Sequence, residues 1–320
     1  PAPQLPATLG ATVPKVNNAD MKAWGFEVEV SWRDRIKDFN YGVKFVLSDD
    51  QRKVTRYPNE ELNRNQWYAG RMDGLVWGYE TVGIAKTDAE MEAHLASLPN
   101  GGQSQLGSKW AAGDIMYKDL NGDGKISSGD GTLNDLGDLK VVANTQLRFK
   151  YGLTLDASWK GFDFSAFFQG VGKRDVVVGG PYFWGANGQG MWQAAAFKDH
   201  MDYFRPEDTE SVFGPNVDAY YPRVIFGGGS SEGGKNTLTQ SRYVQNGAYI
   251  RLKNLQLGYT LPSTITKKFA VNSLRVYVSG DNLWTGTKMR VFDPEVLGST
   301  GDAGKAYPLA RVWSCLLYTS

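Results

Sequence analysis

The residues best placed to do chemistry lie in one short run, DLNGDGKISSGD, from Asp119 to Asp130. Its spacing matches the calcium-loop template D-x-[DN]-x-[DN]-G, in which oxygens at alternate positions converge on one cation. In that reading Asp119, Asn121 and Asp123 are the first three side-chain ligands, and Gly124 makes the sharp turn. Lys125 offers its backbone carbonyl, Ser127 a hydroxyl or a bridging water, and Asp130 takes the twelfth position. Aspartate stands there in place of the usual glutamate, and its shorter reach predicts weak affinity. The preceding DIMYK, Asp114 to Lys118, reads as strand, so the loop is expected to be a structural clip and not a helix-coupled switch. The same residues also suit an Asx/Gly-rich turn held by side-chain–backbone hydrogen bonds.

Other chemistry is thinly provided for. Ser, His and Asp all occur, yet there is no nucleophile elbow, zinc-protease helix, GxGxxG or Walker sequence. Two histidines, His94 and His200, and one cysteine, Cys315, leave no disulfide framework and too little for a Cys/His zinc cluster. Glu27 and Glu29 share one face of a strand and read as polar lining, not as an acid–base pair. Tyr182, Trp184 and Trp192 fall in one glycine-rich loop and are candidates for a sugar- or peptide-binding platform, with simple packing as the alternative. A formal net charge of +1 argues against a nucleic-acid surface. The expectation is a chain that is not an enzyme and holds no organic cofactor.

The elements that would position these residues are strands. Phe26, Val28, Val30 and Trp32 alternate with Glu27, Glu29 and Ser31, and Tyr41, Val43, Phe45 and Leu47 repeat the pattern. Leu147 to Trp159 is the clearest run, continued by Phe162, Phe164, Ala166 and Phe168 after a tight turn. Leu255 to Leu261, Leu274 to Val278 and Tyr307 to Tyr318 follow. Short joins at 33–38, 160–161 and 262–272 alternate with long ones at 50–145, 172–248 and 284–306. Outer-membrane barrels show this rhythm, with short periplasmic turns and long external loops. Trp32, Trp159, Tyr259 and Trp284 sit near strand ends, where an aromatic girdle belongs. The long uncharged run from Val176 to Phe197 is broken by glycines and Pro181, so any membrane crossing must be made by strands. Two short helices are expected in the long loops: Asp88 to Leu98, capped by Thr87, and Met191 to Phe204. The fold class is therefore all-β: an antiparallel transmembrane β-barrel portion, an open curved sheet of about 7–9 long strands with long extracellular loops.

Several segments together resemble one family. GFEVEVSWRD (25–34), VWGYETVGIAKT (76–87), GDIMYKDLNGDGKI (113–126), LTLDASWKGFDFSAFFQGVGKRD (153–175), AYYPR (219–223), IRLKNLQLGYTLP (250–262), VSGDNLW (278–284), FDPE (292–295) and YPLAR (307–311) are similar, in order, to SusC/RagA-like TonB-dependent transporters. The resemblance implies an importer of oligosaccharides or peptides in the cell outer membrane of Bacteroidota. It also implies a SusD-like surface lipoprotein as partner and TonB contact through an N-terminal region. On this reading residues 1–320 are the C-terminal part of the barrel, without plug or TonB box, and 119–130 is an EF-hand-like loop in an external segment. Seven spanning strands is an odd number, so the first is expected to pair with a strand outside this chain. The closing VWSCLLYTS departs from the family pattern, which ends in an aromatic residue. The rival reading is a secreted calcium-binding β-protein that binds or hydrolyses carbohydrate.

Overall fold

The computed structural model describes residues 17–187, 196–226, 231–297 and 307–319. Seven long strands, β1 (Asp20–Ile36), β2 (Phe39–Arg56), β3 (Arg148–Trp159), β4 (Phe162–Lys173), β5 (Tyr249–Thr260), β6 (Leu274–Thr287) and β7 (Val312–Thr319), form one sheet. Each runs antiparallel to its predecessor in the chain, so the sheet is an uninterrupted meander. The joins alternate as expected. Lys37–Asp38 and Lys160–Gly161 turn within two residues, with left-handed backbone at Lys37, Lys160 and Gly161. The third short join, 261–273, carries two helical turns. The joins at 57–147, 174–248 and 288–311 all leave the opposite end.

Strand limits differ from the periodicity at both ends of the sheet. β1 and β2 reach 17 and 18 residues, because ladder bonding continues through the charged stretch from Asp49 to Arg56. The last strand begins at Val312 instead of Tyr307. Pro308 has no N–H to give a ladder.

Register converts scattered strand-end aromatics into a contiguous row. Phe39 pairs with Trp159, Trp159 with Phe162, and Phe162 with Tyr259, along the short-turn end. The Phe162 and Tyr259 rings lie 4.5 Å apart. Above this row one face is apolar and open: Val30 is 58% exposed, Leu257 56% and Val278 45%. Among the described residues no helix or second sheet roofs them, unlike the inner face of a sandwich.

The other face is polar and cross-linked. Glu29 pairs with Lys44 at 2.8 Å, and Lys150 with Asp50 at 2.8 Å. Arg275 on β6 reaches across β5 to Asp163 on β4, with its Nε 3.0 Å from the carboxylate. The bridge passes over Gly258, where a Cβ would stand 2.4 Å from the Asp163 carboxylate. Glycine is needed there because the pair occupies the side-chain space.

The long loops fold into a body with its own core. Three two-stranded ladders brace it: Leu75–Tyr79 with Leu139–Asn144, Thr81–Ile84 with Ile115–Tyr117, and Asp175–Val177 with Val244–Asn246. Tyr79, Ile115, Tyr117, Ile126, Phe183, Trp184, Tyr221 and Tyr243 are buried together between them. Helix α1 (Asp88–Ala96) forms where expected, and the Thr87 hydroxyl accepts the Glu90 amide at 3.1 Å. The second expected helix does not form over its described part. Lys198–Met201 is one 3-10 turn, and Met191 to Ala195 lie outside the described residues. The Phe204 and Arg205 amides donate to Tyr221 and Asn216 instead, which draws the backbone out of helical pairing.

Candidate functional site

The loop read as a cation site is a tight chain of Asx turns. Asp119 accepts the amides of Gly122 at 2.7 Å and Gly124 at 2.9 Å. Asn121 accepts the Asp123 amide at 3.0 Å, and Asp123 that of Lys125 at 3.1 Å. Gly124 has φ 77°, as the sharp turn requires. Asp119, Asn121 and Asp123 thus share one turn. The Lys125 amine stands 3.9 Å from the Asp123 carboxylate, and Ser127 receives the Gly129 amide at 3.4 Å. Asp130 accepts the Thr132 amide at 2.7 Å. Hydrogen bonds from Thr132 hold its carboxyl below the ordinary aspartate value. Among the described residues no three His, Cys, Asp or Glu side chains gather as a ready metal cluster.

The carboxylate that closes the loop is one that the template does not include. Asp138 is fully buried and accepts the amides of Leu120 and Ser127, both at 2.7 Å. It ties the start of the loop to its end. Burial pushes its carboxyl above the usual range, against the pull of these amides. Its distance along the chain from Asp119 hides it from motif reading. The Gly137–Asp138 turn after Leu136 is the only local signal.

The aromatic candidates separate. Trp184 is a core residue, edge-on to Phe183 at 4.9 Å and to Tyr243 at 4.6 Å, and only 6% exposed. It is therefore not an open platform residue. Tyr182 is 41% exposed and stacks on Phe197 at 5.7 Å. Trp192 lies outside the described residues.

A feature not assigned from sequence lies on the polar face at the long-loop end. FDPE, Phe292 to Glu295, is strapped to β4 and β5. Arg251 on β5 is buried and sits 2.6 Å from Asp293 and 3.3 Å from Glu295. Lys253 holds Glu295 at 2.9 Å, and Arg174 donates to the carbonyls of Pro294 and Leu297. A bulge at Lys253 makes this possible, because it resets the alternation of β5. Arg251 above the bulge opposes Gln169, and Asn254 and Gln256 below it oppose Phe167 and Ser165, all on the polar face. Burial raises the Asp293 carboxyl, but its bonds from Arg251 and the Glu295 amide overcome this and leave it below the usual range. Under the strap lies a cleft of about 550 Å³, bordered by Glu27, Lys150, Tyr151, Gln169, Tyr249 and Glu295. Among the described residues it holds no nucleophile–base pair.

No protein-family model matches the chain. Among curated proteins it is similar to TonB-dependent receptor P3 of Formosa agariphila, 28% identical over 305 residues that cover 91% of this chain and 27% of the receptor. TonB-dependent receptor P26 of the same organism is 26% identical over 311 residues, 90% of this chain and 28% of the receptor. The chain therefore spans less than a third of the length of these relatives. Among solved structures, the RagAB peptide transporter superimposes with a TM-score of 0.66 at 21% identity, over 98% of this chain and 31% of the other. The RagAB peptide importer in its open-open state gives 0.65 at 21% identity, over 99% and 30%. The meander, its uncovered apolar face and these likenesses converge: the chain is similar over about nine tenths of its length to TonB-dependent receptors, and its sheet has the fold of the matching part of the RagAB barrel.

Proposed function

We propose that this chain supplies wall strands and external loops to a TonB-dependent outer-membrane importer of oligosaccharides or peptides. The observation that carries the reading is the sheet with one open apolar face and one polar, ion-paired face. In lipid such a wall satisfies its backbone by strand pairing and presents hydrocarbon outward and polar groups to the lumen. A secreted β-protein would need a second layer over the same side chains. Peptide cargo is favoured by the likeness to RagAB, whose structures are described as a peptide transporter. A SusD-like lipoprotein is the proposed partner of the external loops, with TonB engaged through a region outside this chain. Tyr182 and Phe197 offer the loop's open aromatic surface to cargo or partner.

The intact protein carrying this chain is expected to fractionate with outer membranes, to need detergent for extraction, and to change gel mobility on heating. Release into water by salt, with no heat-dependent shift, refutes the reading. In the same cells Tyr182→Ala should slow peptide or oligosaccharide uptake; unchanged uptake removes Tyr182 from the contact surface.

We also propose that the 119–130 loop takes up calcium as a weak structural clip. Each carboxylate oxygen keeps a second lone pair beyond the amide that it accepts. Asp119, Asn121, Asp123, the Lys125 carbonyl, Ser127 and Asp130 are the proposed donors, with Asp130 leaving Thr132 to engage. Titration calorimetry should register binding at millimolar calcium, abolished by Asp119→Ala; a flat isotherm at that level discards the site.

A further inference from the structure

We propose that the outward corner of β1 and β2, at the long-loop end, binds the phosphate of an anionic lipid headgroup. The inference rests on the membrane reading above. The outward residues of β1 run Trp24, Phe26, Val28, Val30, Trp32, with a charge just beyond each end, Lys22 and Asp34. Trp24 to Trp32 spans about 26 Å of strand at roughly 3.3 Å per residue. At the 35–45° tilt of such barrels this length rises about 20 Å, somewhat less than an apolar band about 25 Å tall framed by aromatic girdles. Lys22 is the next outward side chain of β1 beyond Trp24, about 25 Å above Trp32 at that tilt and so at the edge of the band, while Gln51 and Asp49 are the outward residues of β2 opposite Trp24 and Phe26.

Register places Lys53 directly opposite Lys22. Both are exposed, and neither side chain makes an ion pair or hydrogen bond among the described residues. Two like charges facing each other across an antiparallel pair repel. Of the nearby carboxylates, Asp73 makes no ion pair with either lysine among the described residues although its amide donates to the Arg52 carbonyl, and two others are already committed. Asp20 is held by Arg56 at 2.8 Å, and Asp49 is buried under Arg148. A shallow cleft of about 590 Å³ opens between Lys22, Trp24, Lys53, Thr55 and Gly70. It offers two cations, a hydroxyl donor and an indole flank beside the apolar outward side chains of β1. A lipid meets all of these at once, with phosphate on the lysines and acyl chains on Phe26 and Val28, whereas a free anion uses only the lysines.

The test uses the intact protein, purified in detergent and titrated with phosphatidylglycerol, with bound lipid read by native mass spectrometry. The wild type should retain the lipid. The Lys22→Gln, Lys53→Gln double variant should bind it about 30-fold more weakly, roughly fivefold for each lysine. Phosphatidylcholine should bind both proteins weakly, and inorganic phosphate should not displace the lipid. Equal retention by the variant overturns the site, and so does displacement by inorganic phosphate. Heat-modifiable mobility is recorded for both proteins. Its absence overturns the membrane reading and this site together, whereas a normal shift with equal retention overturns the site alone.

Discussion

Asp114→Ala is expected to destabilise the loop body by about 3–5 kcal/mol, the range for removing one member of a buried charge network. Asp114 is fully buried and gathers Arg223 at 2.6 Å, Lys235 at 3.0 Å, Asn236 at 2.8 Å and the Ala111 amide at 3.0 Å. Lys235 is itself fully buried, under the Trp110 ring at 4.5 Å. Without Asp114 that ammonium keeps only Glu232 and two carbonyls as partners. Amide exchange is the measurement. Protection at Ile115–Tyr117, the centre of this network, should fall while protection in β5 stays; unchanged protection at Ile115–Tyr117 would show that the network carries little. Acid should act in the same direction through Glu232. Bonds from Ser108, then Lys235, hold its carboxyl down at about 2. A lowered folded value stabilises above the ordinary glutamate range, and that contribution is lost as pH falls from about 4.5 toward 2.

The second large effect separates the two faces of the sheet. Phe45 lies on the outward face, between Val30 on β1 and Leu153 on β3, about midway between Phe39 and Asp49. Phe45→Arg should cost about 2–4 kcal/mol in a bilayer, as for a cation near mid-depth on a barrel's lipid side. Ser165→Arg on the polar face sits opposite Asp156 and should change stability by less than about 1 kcal/mol. Denaturant unfolding from lipid vesicles measures both. Equal costs would mean that neither face meets hydrocarbon.

Strands were legible because alternation is strongest where one face is uniformly apolar, as from Leu147 to Trp159. It fades where pairing continues without that contrast, which is why the upper ends of β1 and β2 were not read. The Met191 to Phe204 segment misled for a related reason. Its composition permits a helix, but long-range bonds to Tyr221 and Asn216 claim the amides of Phe204, its last residue, and of Arg205 just beyond it. Three candidate ligands, Asp119, Asn121 and Asp123, do share a turn, since spacing of that kind is local. Asp138 was not read because it acts through folding, on amides far back in the chain. Trp184 illustrates the converse: a residue type common in binding sites, here surrounded by Phe183, Tyr221 and Tyr243. The clamp of Arg251 and Lys253 on FDPE required the bulge at Lys253, and a bulge has no compositional mark.

The strict neighbour-to-neighbour order of the sheet also sets a timetable for its assembly. Closing a join costs about 0.6 kcal/mol more for each doubling of its length. The 57–147 join is more than five doublings longer than Lys37–Asp38, a handicap of about 3 kcal/mol. β1 with β2, β3 with β4 and β5 with β6 should therefore zip first as separate hairpins. The ladders inside the long loops shorten the remaining gaps, so each external segment would set in place the docking of the next hairpin.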